Sequence, residues 1–229
     1  NEIVAIPRLL ALLDLTGATV TIDAMGCQAE IAGKIVENGG DYVLAVKENQ
    51  PALHAALVRN LNEMILEKFA GVRHGFVQAV DGDHGRIETR RVWVTDQLDD
   101  WLDDAQRSRW AGLRSVVVVE ALREVPPKPP TGVERRYFIS SLAGTDASRM
   151  AECVRGHWSV ENKLHWVLDV SFAEDQARQR KHHSAENFSR LRRIALNLLR
   201  RETGKKRGIK GKRLNAAWDH DYLLKLLGG

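Results

Sequence analysis

The stretch RGHWSVENKLHWVLDVSFAED, residues 155–175, carries side chains at a spacing that suits metal or acid–base chemistry. His157, Glu161, His165 and Asp169 lie four apart, which on an α-helix of about 3.6 residues per turn makes one polar ridge. Val160, Leu164, Val167 and Leu168 make an apolar stripe beside it. A carboxylate at that border is half-sheltered, fixed in direction and open to a ligand, and Glu161 is the candidate. The competing account is a solvated ridge whose i,i+4 His–carboxylate pairs only decorate a surface. Two tryptophans flanking the ridge, Trp158 and Trp166, and basic segments downstream favour a functional site. Plain packing is the simpler role for the tryptophans themselves, with stacking on an unpaired base as the alternative.

A partner acid must come from another element. The β-branched run ATVTI, residues 18–22, stops at Asp23. A helix from about Gln28 to Glu37 follows, with Ile31, Ala32, Ile35 and Val36 on one face and Gly39-Gly40 at its end, and then a second strand from Tyr42 to Val46. Strand, helix and strand with short joints make a βαβ unit with parallel strands. Asp23 then lies at the carboxyl end of a parallel strand, where open α/β sheets place their ligands. In DAMG the same Asp could simply start a turn. Lys47, Asn49 and Gln50 leave the second strand on that same sheet edge.

The flanking elements follow from period and punctuation. IPRLLALLDL reads as a short helix with Pro7 in its first turn, and Pro51 starts a helix to about Phe69 with Leu53, Leu57, Leu61, Ile65 and Leu66 inward. After Gly71 the period shifts. Arg86 to Thr95 alternates as a half-buried strand, Asp96 to Trp110 is acidic and helical, and Leu113 to Val125 and Val133 to Leu142 are strands on either side of an extended PPKPP loop. These strands are expected in an antiparallel sheet of their own, outside the sheet that carries Asp23. On that sheet Arg86, Glu88 and Arg90 share a face that Val92 and Val94 join at its packed end. Thr145 or Asp146 can cap the Glu161 helix, and Ser184 a long helix to about Arg201. TGKKRGIKGKR then reads as a Gly-punctuated basic loop that does not hold a helix.

Composition sets bounds. The chain has 229 residues, 44% hydrophobic and 28% charged, as ordinary globular proteins do. No apolar run approaches the roughly 18 residues needed to cross a membrane. Cys27 and Cys153 are too few for a disulfide framework and read as buried thiols. From Gln176 to Arg213 there are 14 Lys and Arg against Glu186 and Glu202, a net of +12 that leaves −8 for the rest of a chain whose formal charge is +4. Such a block points to a polyanion, most simply nucleic acid, with a solvated charge run as the alternative.

The chain resembles the bacterial insertion-sequence DDE transposases of the H-repeat-associated family, through NEIVAIPRLLALLDLTGATVTIDAMGCQAEIAGKIVENGGDYVLAVKENQ, DHGRIETRRVWVT, RGHWSVENKLHWVLDVSFAED and SRLRRIALNLLR. The resemblance covers nearly the whole chain in unbroken order. It implies an α/β fold with an RNase H-like catalytic core, incomplete at the N-terminus, an antiparallel β insertion and a basic helical C-terminus. Residues 1–50 would form the βαβ part of that core, 51–145 a helix and the insertion, 146–180 the helix of the catalytic Glu, and 181–229 the basic region. In the family three acids hold two Mg2+ (or Mn2+) ions. Asp23 matches the second Asp and Glu161 the Glu, both catalytic and metal-binding. The first Asp has no counterpart, and the chain is expected to start after it. Asp14, in a helix-to-strand joint, does not substitute. The family's Tyr, Arg and Lys positions around the Glu read Val154, His157 and Leu168, although Arg155 is near. His157, His165, Asp169 and Asp175 are candidates to support the acids from outside.

The resemblance implies a DNA transposase acting by Mg2+-dependent hydrolysis at element ends and 3′-hydroxyl attack on target. Its partner is double-stranded DNA, element ends and target, with a homodimer as one arrangement in the complex and no membrane. Lys47, Arg86, Arg155, Arg190, Arg193, Lys205, Lys206, Arg207 and Lys210 are the candidate DNA contacts. A bacterial, cytoplasmic, nucleoid-associated protein is expected. The alternatives are a catalytically inactive DNA-binding remnant and an RNase H-like nuclease without strand transfer.

Overall fold

The computed structural model describes residues 2–83, 85–99, 102–127 and 132–228. It comprises two compact units, one up to His157 and one from Trp158 onward. Part of the PPKPP loop lies outside the described residues, as does part of the stretch from Asp96 to Trp110.

The first unit is built on one six-stranded sheet. Its strands are β1 (Thr19–Ile22), β2 (Asp41–Val46), β3 (His74–Asp83), β4 (Arg86–Thr95), β5 (Ser115–Glu124) and β6 (Glu134–Ser140), in the order β1-β2-β6-β5-β4-β3. Helix α1 is Glu2–Leu10, α2 Ala29–Glu37, α3 Pro51–Leu66, α4 Asp104–Ser108 and α5 Ala147–Val160. β1 and β2 are parallel and joined through α2, as the βαβ pattern requires. Helix α2 forms because Ile31, Ala32 and Ile35 share one buried face. Gly39, at φ +77°, then reverses the chain into β2 with a backbone that other residues adopt at a cost.

The remaining strands overturn one expectation. β4, β5 and β6 do not form a separate sheet, because β6 pairs antiparallel with β2, from Val43 with Ser140 to Val46 with Tyr137. The outer edge of β2 presents backbone donors and acceptors that must be paired if they are to be buried. β6 supplies them, and the meander β3–β6 extends the sheet that carries Asp23 rather than leaving it. β3 itself was not expected. Gly75 and Gly82 interrupt its sequence, yet it pairs with β4 in continuous register from His74 with Thr95 to Asp83 with Arg86.

Two cores follow from the alternation of side chains. On one face Tyr42, Leu44, Val118, Tyr137 and Ile139 pack with Ile31, Ile35, Leu57 and Leu61 of α2 and α3. On the other, Val43, Val92, Val94, Val117 and Phe138 pack with Met150 and Val154 of α5, so Val92 and Val94 do join the packed end of their strand face. Asp146 caps α5, its Oδ1 accepting from the Arg149 N–H at 3.0 Å. Other local expectations are corrected. Pro7 is the sixth residue of α1 rather than in its first turn. α3 stops at Leu66, which is exposed, because Lys68 and Phe69 turn left-handed. Among the described residues of the acidic segment only Asp104–Ser108 is helical, where Asp103 caps a single turn and Trp110 is buried. Cys27 is buried and burial pushes its thiol up to about 12, whereas Cys153 is only half-buried.

The second unit is helical: α6 (Trp166–Phe172), α7 (Ser184–Arg201), α8 (Ile209–Trp218) and α9 (His220–Leu227). Leu199, Tyr222 and Leu226 form its core, with Phe172, Ile209 and Ala216 against it. The stretch IKGKR is helical, contrary to expectation. One interior glycine costs about 1 kcal/mol, and Lys212 offsets it by burying its ammonium against the Leu199 and Glu202 carbonyls at the end of α7. Ser184 does not cap α7 through its side chain. Its hydroxyl donates to the Lys181 carbonyl, and His183 occupies the cap position. No described helix is long and apolar enough to cross a membrane.

Gly75 tests the packing between β3 and the segment that leads into α5. A Cβ there would overlap the Thr145 carbonyl, whereas one at Gly82 meets nothing. Gly75→Ala should destabilise the chain by about 1–3 kcal/mol, and Gly82→Ala should be close to neutral. The denaturant midpoints of the two variants check this.

Candidate active-site residues and basic surface

Asp23 directly follows β1. It caps a 3-10 turn over Ala24–Gly26, with Oδ1 accepting from the Ala24 N–H at 2.7 Å. The turn is clamped from the end of β2. Asn49 Nδ2 donates to the Ala24 carbonyl at 2.6 Å, and the buried Gln50 donates through Nε2 to the Cys27 carbonyl at 2.9 Å. Lys47 Nζ lies 3.8 Å from Asp23 Oδ1, and about three-fifths of each side chain is exposed. The expectation that Asp23, Lys47, Asn49 and Gln50 share one sheet edge is met. Two of them have a role that the residues alone did not reveal, namely holding the turn that presents the acid. On the same strand, Thr21 Oγ1 and His157 Nδ1 of α5 are 3.3 Å apart.

Glu161 belongs to the second unit, so its surroundings are those of its own segment. α5 ends at Val160 and the chain continues as one π-helical turn, Glu161–His165, before α6. The Trp166 N–H donates to the Glu161 carbonyl, five residues back. This breaks the expected ridge. In a π turn the residue stacked above Glu161 is Trp166, not His165, because one extra residue fits in the turn. Glu161 is exposed rather than half-sheltered, and among the described residues its carboxylate has no hydrogen bond or ion pair. Trp166 is 60% exposed and Trp158 37%, so neither is core packing. Leu168 is buried, Asp169 half-buried, and His165 and Asp175 exposed.

The candidate phosphate contacts divide into two kinds. In the first unit the cations are already paired. Arg155 reaches Asp81 at 2.9 Å, Arg90 bridges Asp81 and Glu88, and Arg86 lies 3.7 Å from Glu88. In the second unit Arg190 pairs with Glu186, Arg193 bonds Ser189, and Lys205 lies 3.7 Å from Asp219 and over the Tyr222 ring. Lys206, Arg207 and Lys210 are exposed and have no carboxylate partner among the described residues. Glu202 anchors the segment that carries them. It accepts from Tyr222 Oη, from the Gly204 and Lys205 N–H groups, and lies 3.6 Å from Lys225 Nζ. Sequence reasoning counted Glu202 only as a charge. The signal was its place at the junction of a helix end and a Gly turn.

Among the described residues, no three His, Cys, Asp or Glu come together as a metal site. The donor type at Asp23 and Glu161 suits a hard divalent cation, which takes carboxylate oxygens. Each acid is exposed and can offer oxygen, and among the described residues neither belongs to a group of three such ligands. Each therefore fits as one ligand of a site and not as a site by itself.

A family profile described as Transposase DDE domain matches residues 1–198. The chain belongs to this transposase family. Its relatives agree: the "H repeat-associated putative transposase YhhI" of Escherichia coli strain K12 is 40% identical over 231 residues, which cover 100% of this chain and 60% of that protein. YbfL of the same organism matches equally, at 40% identity and the same coverage. A protein of Xanthobacter autotrophicus, uncharacterized and encoded in the dhlA 3′ region, is 50% identical over 143 residues, 62% of this chain and 45% of that protein. The chain thus spans about 60% of the length of its full-coverage relatives.

Glu202 gives a pH dependence. Burial works to raise its carboxyl, but the bonds from Tyr222, Gly204 and Lys205 and the charge of Lys225 outweigh it and hold it below the ordinary 4.5. A depressed folded-state value means that its stabilisation is full above about 4.5 and is lost as pH falls through the folded-state value. Glu202→Gln should flatten the acid limb of the stability–pH curve and leave the slope near neutrality unchanged. Thermal unfolding followed by circular dichroism between acid and neutral pH checks it.

Proposed function

We propose that this DDE-domain chain is part of an insertion-sequence transposase that cleaves DNA at the element ends and joins the freed 3′-hydroxyl to target DNA. Asp23 and Glu161 are its divalent-cation ligands. The match of residues 1–198 to the DDE transposase family supports this reading most directly, and within the first unit Asp23 stands in a fixed direction just past the end of β1. The family pattern has a third carboxylate, for which these 229 residues hold no counterpart. Two acids are too few to hold two ions for in-line attack.

Each residue has a task in this reading. Asp23 is held in direction by the Ala24 N–H and by the Asn49–Gln50 clamp, so little ordering remains when a ligand arrives. Lys47 offers its ammonium to a non-bridging phosphate oxygen beside Asp23. Glu161, on its π turn, presents an exposed carboxylate that no neighbouring cation neutralises. Bound Mg2+ (or Mn2+) would supply Lewis-acid stabilisation of the attacking and leaving oxygens at the phosphodiester. Lys206, Arg207 and Lys210 hold backbone phosphates of double-stranded DNA at a distance from the chemistry, and Arg190 and Arg193 extend that contact along α7. The second reading is a chain that binds DNA without cutting it. Its support is that the described residues bring no three acids together.

In a chain extended at its N-terminus to restore the strand of the third acid, Asp23→Asn or Glu161→Gln should abolish Mg2+-dependent cleavage of element-end DNA and leave binding within a few-fold. Cleavage by the Glu161→Gln protein at the parental rate would sink the assignment. The 229-residue chain alone should bind without cutting, and gel-resolved nicking by it would show that the third acid is dispensable.

The basic surface has its own test. DNA affinity should fall steeply with salt, with a slope of roughly −0.9 per phosphate neutralised. Replacing Lys205, Lys206 and Arg207 together by Ala should reduce that slope by two to three such steps in a fluorescence-anisotropy titration. An unchanged slope would reduce the block to a solvated charge run.

A further inference from the structure

The face of the first unit's sheet opposite α5 carries two adjacent cross-strand rows at its β3 end. One is aromatic and apolar: Phe76 pairs with Trp93, Trp93 with Val118 and Val118 with Tyr137. The next is polar: Gln78 pairs with Arg91, Arg91 with Glu120 and Glu120 with Arg135. Two residues along a strand separate the rows, about 7 Å. Between them and the end of α3 lies an open groove of about 680 Å3, lined in part by Lys68, Phe76, Arg91, Trp93, Glu120 and Arg135.

The groove is built rather than incidental. Glu120 is 4% exposed and is held by both guanidiniums, Arg91 at 3.0 Å and Arg135 at 2.9 Å. Asn62 takes a further bond from Arg135, at 3.1 Å, and Gln78 one from Arg91, at 3.0 Å. The two arginines are thus fixed in direction while 41% and 30% of their side chains stay exposed. With Lys68 the lining carries three cations against one carboxylate. Phe76 is 50% exposed and its ring centroid lies 5.1 Å from that of Trp93, which runs parallel to the buried Phe69 behind it. Lys68 and Phe69 both sit at positive φ, a strained pair that turns the end of α3 onto this edge.

We infer that this groove binds an unpaired nucleotide of a DNA single strand, its base stacked on Phe76 and Trp93 and its phosphate on Arg91, Arg135 and Lys68. A flat aromatic surface beside cations suits any base, since each has a π face and an anionic backbone. A duplex keeps its bases stacked on one another, so only a frayed or displaced strand can use the aromatic row. The excess of positive charge selects a polyanion over an apolar peptide. The inference rests on the proposed handling of DNA but not on the acids, because this face of the sheet is not the one on which Thr21 meets His157.

The test uses the 229-residue chain with a labelled oligothymidylate of about 15 nucleotides, within the span of one single-strand site, and a duplex of the same length at the same salt. Phe76→Ala should weaken single-strand binding about fivefold or more and leave duplex binding within twofold. Phe76→Leu, which keeps an apolar side chain on the edge strand without the ring, should do the same if the Ala variant folds poorly. The Lys205, Lys206 and Arg207 triple variant should weaken both ligands. Unchanged single-strand affinity in both Phe76 variants overturns the inference, and so does an equal loss for duplex or no binding by the parent chain. A changed oligomeric state at unchanged affinity would give the groove to a second copy instead and overturn it too. Cleavage retained by the acid variants of the N-terminally extended chain would sink the assignment of the acids and leave this binding response untouched, so the two proposals fail separately.

Discussion

β2 and β6 meet along four residue pairs, and the first unit depends on that seam. It joins a parallel βαβ unit to an antiparallel meander, two arrangements with different hydrogen-bond geometries. Side-chain hydroxyls complete the pairing where the ladder ends. Ser140 Oγ donates to the Tyr42 carbonyl at 2.8 Å, Ser141 Oγ donates to Asp41 at 2.7 Å, and the Tyr42 N–H donates to Ser141 Oγ at 2.9 Å. The two bonds to Tyr42 are buried, so each of them left unmade would cost about 1–3 kcal/mol. The register also assigns every residue to its core. With Val43 opposite Ser140, Leu44 and Ile139 face α2 and α3 while Val43 and Phe138 face α5. A slip by one residue would exchange the faces, which two packed cores do not permit.

The site inherits its rigidity from the seam. β1 is an edge strand that pairs only with β2, so the direction of Asp23 is only as firm as β2. The end of β2 returns the favour through Asn49 and Gln50, which bond the turn after Asp23 rather than their own strand. Sheet pairing thus fixes the strand and two amides fix the turn, while the carboxylate itself stays exposed. Such an acid is exposed and oriented at once, as a ligand to a cation must be.

Much of this was legible in the residues, for stated reasons. The βαβ unit showed itself because a β-branched run, an amphipathic helix and a Gly-Gly stop have different periods and sharp ends. The strand-end place of Asp23 followed from it. β3 was hidden because His74 to Asp83 mixes glycines with polar residues, and only pairing to β4 makes it a strand. The union of the meander with the Asp23 sheet was hidden because edge choice is a long-range matter that alternation does not encode. The ridge around Glu161 failed differently. Its spacing of four was real, but a single i to i+5 bond from Trp166 inserts a residue into the turn and rotates everything after it. No local propensity signals that, since the cap residues on both sides of the π turn stay in ordinary right-handed helical backbone.

Charge explains why the two sets of cations are not equivalent. Arg86, Arg90 and Arg155 face Asp81 and Glu88 on the strand surface, a nearly balanced group whose members lose a partner when they take up a phosphate. Exposed pairs of this kind are worth about 0–1 kcal/mol, so a phosphate can compete for them, but the gain is the difference between two similar interactions. Lys206, Arg207 and Lys210 give up no carboxylate among the described residues, so in the proposed reading each would release counterions in full on meeting a phosphate backbone. What holds them in place is buried: Glu202 gathers the Gly204 and Lys205 N–H groups, and Lys212 gathers the carbonyls at the end of α7. The buried pair of Lys212 and Glu202 thus orients the turn, while Lys206, Arg207 and Lys210 have no carboxylate partner among the described residues. In the proposed reading, affinity for a phosphate backbone would then come from the basic turn more than from the strand-face arginines.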